Sequence, residues 1–184
     1  MQVFKFGGAS VKSSENIKNV VSIIEKYKNS ELLVVVSAIG KTTDKLAKIT
    51  DNYVKRSPEA LTLLEELKNE HFQILNELFE DKSFPIFDDI ANTFVEIEWI
   101  LEDEPQDDYD YLFDQIVSVG ELLSTKIIAG YGQYMGLPVK WLDARDYILT
   151  DNTYREANVD WVKTEEKIRK EIPSILDDHI IVTQ

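Results

Sequence analysis

Residues 31–38 read ELLVVVSA, a run of five consecutive large aliphatic residues with no polar residue between them. A strand with one face in water alternates apolar and polar residues. An unbroken run of this length instead suits a strand covered on both faces, the environment of a parallel sheet in an α/β protein. The preceding residues fit that frame. Val3-Phe4-Lys5-Phe6 is a short β-prone run that stops at Gly7-Gly8. Ser13 is placed to cap a helix with Glu15 in its first turn, and Ile17, Val20, Val21 and Ile24 follow helical spacing. Strand, helix and strand in that order make a βαβ unit, whose two strands end at the same sheet edge. In open α/β sheets that edge is where ligands bind.

The middle of the chain changes period. From about residue 44 to 108 the pattern is helical, with breaks near Ser57-Pro58 and Ser83-Phe84-Pro85. The repeating apolar positions Leu61, Leu64, Leu67, Phe72, Leu75 and Leu78 predict a helical insertion in the α/β fold. EDEPQDDYD follows as an acidic loop, read as a solvated connection. A helix resumes from Tyr109 through VGELLST, PVKWL (138–142) reads as a strand, and DARDYILTD opens a long polar connection. Residues 160–172 predict a helix stopped by Pro173, and HIIVTQ is a second buried-strand pattern. The chain stops on that strand, without a ligand-edge loop or crossover helix after it. Residues 1–184 are therefore expected to be part of a longer catalytic domain, lacking the loops for a nucleotide's base.

Charge narrows the partners. The 184 residues carry a formal net charge of −14, which argues against nucleic acid and anionic membrane as partners. An anionic substrate must then be held by local chemistry against the global field. The chain has no cysteine, so disulfides, thiolate metal sites and cysteine nucleophiles are excluded together. No signal-peptide pattern is present, and a cytoplasmic protein is expected.

Four segments carry chemistry. In Lys5-Phe6-Gly7-Gly8, with Ser10 nearby, adjacent glycines let backbone N–H groups approach an anion. Lys5 adds a positive charge, and an unpaired ammonium in a strand expected to be buried would be costly. Neither the P-loop nor the dinucleotide fingerprint is present. In VSAIGKTTD, Ser37, Thr42 and Thr43 are placed either to bind a polar substrate or, for the threonines, to cap the next helix. Glu121 in VGELLST lies among apolar neighbours and either holds an ammonium group or sits on a helix surface. Asp143, Arg145 and Asp151 in DARDYILTD read as a structural ion pair and an Asx turn. His71 and His179 stand alone and suggest neither a triad nor a metal site.

Taken together and in order, these segments resemble the aspartate kinases of the amino-acid kinase family. KFGGASV is similar to that family's KFGGTSV signature, with Ala9 where threonine is usual. VVVSAIGKTTDKL, the helical insertion, VGELLST and the terminal IVTQ continue the resemblance over essentially the whole chain. It implies a three-layer α/β/α sandwich with a mostly parallel sheet. It also implies ATP- and Mg2+-dependent phosphorylation of the L-aspartate β-carboxylate, in an enzyme that is usually a homodimer. By resemblance Lys5 would stabilise charge on the transferring phosphoryl group, Gly7 and Gly8 would donate backbone N–H groups, and Ser10 would lie beside them. Ser37 and Thr43 would contact aspartate, and Glu121 would accept its ammonium. In the family a glycine-rich segment and an Arg-Gly-Gly-Ser-Asp stretch follow, so residues 1–184 alone are expected to be inactive. A glutamate or acetylglutamate kinase, and a binding module without catalysis, are the alternatives.

Overall fold

The computed structural model describes residues 1–184. Four strands form one sheet: β1 (Gln2–Phe6), β2 (Leu32–Val36), β3 (Val139–Trp141) and β4 (Ile180–Thr183). Their spatial order is β1-β2-β4-β3, and every neighbouring pair is parallel. All four strands therefore end at one edge, where the loops after β1, β2 and β3 and the terminal Gln184 meet.

The two faces of the sheet are covered unequally. Leu32, Val34 and Val36 of β2, with Ile180 and Val182 of β4, point into the main core, a single cluster of 36 buried residues. Helix α1 (Ser14–Glu25) supplies Ile17, Val20, Val21 and Ile24 to it, at the spacing of one helical face. Its start is fixed as the sequence indicates, because the Ser13 hydroxyl accepts from the Asn16 N–H. The opposite face carries a smaller cluster of Leu142, Leu176 and Ile181, under α7 (Trp161–Leu176). On that side Leu33 and Val35 are only half-buried. Strand β1 lies at the sheet edge, and Val3 is 54% exposed.

Helices α2 (Thr42–Val54), α3 (Glu59–Leu78) and α4 (Ile86–Glu102) occupy the region of helical periodicity. Leu64, Leu67 and Leu75 of α3 and Ile90, Phe94 and Ile97 of α4 join the same core as the sheet. Phe79, 1% exposed, ties the α3–α4 turn to the helix that carries Tyr131 and Tyr134 by packing on both tyrosines and on Phe84 and Phe87. Helices α5 (Tyr109–Val117) and α6 (Val119–Tyr134) are separated by Ser118 alone, whose backbone stays helical. Nearly all of α6 is buried, which places its first turn deep against the β2 loop.

One boundary differs from the expectation. Helix α7 does not stop before Pro173 but runs through it to Leu176. Proline removes one N–H and crowds the carbonyl four residues back. Here that cost falls in the last turns, where burial of Leu176 against Leu142 and Ile181 offsets it. Restoring the N–H should therefore help: we expect Pro173→Ala to raise stability by about 1 kcal/mol or more. Urea unfolding of the 184-residue chain checks this, and a loss of stability would mean that the proline's rigidity outweighs its missing hydrogen bond.

Candidate functional site

The loop after β1 turns at once into a short 3-10 segment, Gly8–Val11, closed by Ser10 N–H donating to the Gly7 carbonyl at 2.8 Å. The N–H groups of Gly7, Gly8 and Ala9 find no acceptor within the chain. They form a short row of donors at the ligand edge. Lys5 is not buried, contrary to the expectation, because β1 is an edge strand and its outer face is open. It has no carboxylate partner. Its ammonium curls back over the turn, 3.6 Å from where a Cβ on Gly7 would lie. The case for an anion at this loop thus rests on free donors and an unpaired cation side by side, and not on the cost of burial. Ser10 is exposed beside them.

The β2 loop is held against the β1 loop by backbone alone. Ser37 N–H donates to Phe6 O at 3.0 Å, and Gly40 N–H to Gly8 O at 3.1 Å. A Cβ on Gly8 would stand 2.7 Å from Ala38 O and 3.0 Å from Gly40 O, so only glycine allows this approach. Gly40 itself turns at φ +54°, in the left-handed region. Neither Thr42 nor Thr43 caps α2. The N-cap position is Lys41, which makes no side-chain cap, and Thr42 is the first helical residue. The Thr43 side chain is thereby left free and exposed.

Glu121 reaches this loop from the first turn of α6. The adjacent Gly120 lets the helix come close, since a Cβ there would meet the Ala38 Cβ at 3.1 Å. One Glu121 carboxylate oxygen accepts from Ala38 N–H at 3.3 Å. Its second oxygen has no donor within the chain, and the residue is half-buried. A cleft of about 600 Å³ opens here, lined by Thr43, Ser118, Glu121, Arg145, Asp151 and Tyr154 among others.

Its far wall is the polar connection after β3. The Asp143 carboxylate takes three hydrogen bonds from the Arg145 guanidinium, at 2.6 to 3.0 Å, and one from the Arg145 N–H. Burial pushes the Asp143 carboxyl upward, but the hydrogen bonds and charge of Arg145, with Lys126 behind, hold it below the usual range. The ion pair expected from the sequence is present, and it also orients Arg145 at the cleft. Asp151 is the hub of its own loop: it accepts from Thr153 N–H, Asn158 N–H and the Asn158 side-chain amide. The Asx-type reading holds. These bonds, the Asn158 amide first, bring its carboxyl down to about 2.

The loop is fastened to α5 by Arg155, a non-glycine residue at φ +64°. Its N–H donates to Asp114 at 2.7 Å, and its guanidinium lies 4.2 Å from the centre of the Phe113 ring. Tyr154 meets Tyr111 edge to face at 5.0 Å. Sequence reasoning missed this clasp, because nothing local to Arg155 marks a partner some 40 residues away. It also missed Thr125, Trp141 and Gln184, whose side chains join at one buried hydroxyl.

The expected site residues therefore fall into two groups at one edge. Thr43 and Glu121 share the cleft with Arg145 and Asp151. Lys5, Gly7, Gly8 and Ser10 form the neighbouring glycine-loop flank. Ser37 stands between the groups, joined to β1 through its N–H and next to Ala38.

This arrangement belongs to a known class. The model of the amino acid kinase family matches residues 1–183, and the chain is a member of that family. Its relatives narrow the class further. It is 34% identical over 155 residues to an aspartokinase of Chlamydia trachomatis, covering 84% of this chain and 33% of that protein. With Aspartokinase 1, chloroplastic, of Arabidopsis thaliana the identity is 33%, over 82% of this chain and 27% of that one. The fold superposes on E. coli aspartokinase III in complex with aspartate and ADP (R-state) with a TM-score of 0.87 and 25% identity, covering 99% of this chain and 40% of that chain. The chain thus spans about a third of the length of these relatives.

Two measurements test the geometry. Gly8→Ala forces a methyl group against backbone carbonyls and should cost about 1–3 kcal/mol. Gly7→Ala meets only the tip of Lys5 and should stay within about 1 kcal/mol; equal costs would contradict the close approach. Separately, the Asp151 carboxyl should titrate near 2 by NMR. Its folded value is depressed, so its loop contacts are complete above the ordinary carboxylate range and are lost as pH falls from about 4 through 2. A midpoint near 4 would show that the loop does not hold it.

Proposed function

We propose that this chain forms the amino-acid side of an aspartate kinase. The enzyme transfers the ATP γ-phosphoryl group to the β-carboxylate of L-aspartate, giving 4-phospho-L-aspartate. The observation that carries this reading is the placement of Glu121. Its carboxylate is anchored on one oxygen by Ala38 N–H, faces a cleft with Thr43, and lies one loop away from the free N–H row of Gly7–Ala9. An anchored carboxylate with a free oxygen suits a substrate ammonium. Ser37 and Thr43 offer hydroxyls to the same molecule.

On the other flank the chain supplies what phosphoryl transfer asks of a protein, positioning and charge stabilisation. The N–H groups of Gly7, Gly8 and Ala9 take phosphate oxygens, and Lys5 balances charge that grows on the transferring group. Ser10 stands at the outer end of that row. Ala9 lacks a hydroxyl, so its contribution is through the backbone. The donor set is cationic and amide-based, fitting phosphate. Mg2+ would accompany the nucleotide's phosphates and share in neutralising their charge. ADP in the complex of E. coli aspartokinase III supports the nucleotide assignment.

The chemistry favours aspartate kinase over acetylglutamate kinase, because an acetylated amine carries no ammonium for Glu121. The rest of the reading rests on the family resemblance: residues 1–184 form the substrate-side part of the catalytic domain, with residues 44–108 as its helical insertion, in a homodimeric cytoplasmic enzyme. The net charge of −14 supports the absence of a nucleic-acid or anionic-membrane partner. No helix is long and apolar enough to cross a membrane.

Aspartate-dependent ATP consumption, measured in the protein at the length of its aspartokinase relatives, tests the function. We expect turnover there and none from residues 1–184 alone. In that enzyme Lys5→Ala should lower kcat by roughly 10²-fold or more, and a near-normal kcat would remove Lys5 from the mechanism. Turnover with glutamate but not aspartate would overturn the substrate assignment.

A further inference from the structure

We propose that Thr125 and Gln184 are positioning residues. Together they hold the first turn of α6, and with it the Glu121 carboxylate, in register with the turn that carries Arg145. The proposal rests on the reading above, in which Glu121 receives the substrate ammonium.

Thr125 is fully buried. Its hydroxyl donates to the Glu121 carbonyl at 2.7 Å, and it accepts from Trp141 Nε1 and from Gln184 Nε2, each at 2.9 Å. One donor and two lone pairs are thereby all used. On its other side the Gln184 amide oxygen accepts from Ala144 N–H at 2.7 Å. Ala144 lies between Asp143 and Arg145, an ion pair whose arginine lines the far wall of the cleft. One side-chain amide at the end of β4 therefore joins the two sides of the cleft, from Glu121 on α6 to Arg145 after β3.

The polarity of this network has one solution. The Ala144 N–H and the Trp141 indole N–H can only donate. The first forces the Gln184 oxygen toward Ala144, which turns its NH2 toward Thr125. The second occupies a lone pair of the Thr125 hydroxyl, whose proton is then left for the helix carbonyls, Glu121 O at 2.7 Å with Leu122 O as the longer second acceptor at 3.2 Å. Reversing the Gln184 amide would set its NH2 against the Ala144 N–H and its oxygen on the Thr125 hydroxyl, leaving half-buried donors without an acceptor, which is costly. A helical threonine bonded only to its own preceding turn would be an ordinary local contact. Here the same hydroxyl receives two further side chains, from β3 and from the residue after β4, 16 and 59 residues away in sequence. The glycine loop and Lys5 take no part in the network, so its loss should be felt by the amino acid and not by the nucleotide.

The test has two parts. In the 184-residue chain, the Trp141 indole N–H signal reports the network by NMR. Thr125→Val should shift it upfield, and Thr125→Ser should keep it in place. In the protein at the length of its aspartokinase relatives, Thr125→Val and the isosteric Gln184→Glu should each raise KM for aspartate about tenfold. KM for ATP and kcat at saturating aspartate should stay within about twofold, and Thr125→Ser should restore the wild-type KM. An unmoved indole signal in Thr125→Val would overturn the proposal. So would an unchanged aspartate KM, or equal losses toward aspartate and ATP, the pattern of a general loss of structure. Should the wild-type protein leave aspartate unphosphorylated, the functional reading fails and takes this proposal with it. An active wild type with an insensitive Thr125→Val overturns the proposal alone.

Discussion

The structure depends on a backbone-to-backbone contact at the sheet edge. Gly8 lies against the carbonyls of Ala38 and Gly40, too close for any side chain at that position. Gly40 returns a hydrogen bond to the Gly8 carbonyl. On the other side of Ala38, Gly120 admits the start of α6 at similarly short range. Three segments far apart in sequence thus converge on one residue, Ala38, whose N–H is taken by the Glu121 carboxylate. A methyl group on Gly8 would separate the loop after β1 from the loop after β2. The site is a consequence of that packing and needs no long flexible elements to assemble it.

Convergence also answers an electrostatic problem. A chain of net charge −14 repels anionic ligands at long range. The edge counters this locally, with three unpaired N–H groups and Lys5 on one flank and Arg145 on the other. Asp143 does not cancel Arg145's usefulness: it accepts from Nε–H and one N–H of Nη2, which fixes the guanidinium plane. The remaining N–H groups are left at the cleft.

Much of this was legible in sequence, for identifiable reasons. The unalternated LLVVV run announced a covered parallel strand, and the spacing of Ile17, Val20, Val21 and Ile24 announced the crossover helix. The Asp143–Arg145 pair and the Asp151 turn are local, so short-range spacing revealed them. Lys5 was misjudged because a βαβ pattern does not say which strand is the edge; β1 turned out to be one, and its lysine is in water. The helix through Pro173 was misjudged because a breaker's cost is local, while the burial of Leu176 that offsets it is tertiary. The Thr125–Trp141–Gln184 junction and the Arg155 clasp left no sequence signal, since each joins residues whose spacing carries no period.

The central claim is that one sheet edge holds the amino acid and the phosphoryl group on adjacent flanks. A crystal structure of the protein at the length of its aspartokinase relatives, with L-aspartate and a non-hydrolysable ATP analogue, tests it most directly. The account predicts the aspartate ammonium on the Glu121 carboxylate, its β-carboxylate directed at the Gly7–Ala9 amides, and the terminal phosphate between those amides and Lys5. Aspartate bound elsewhere, or bound here with Glu121 turned away from it, would contradict the account.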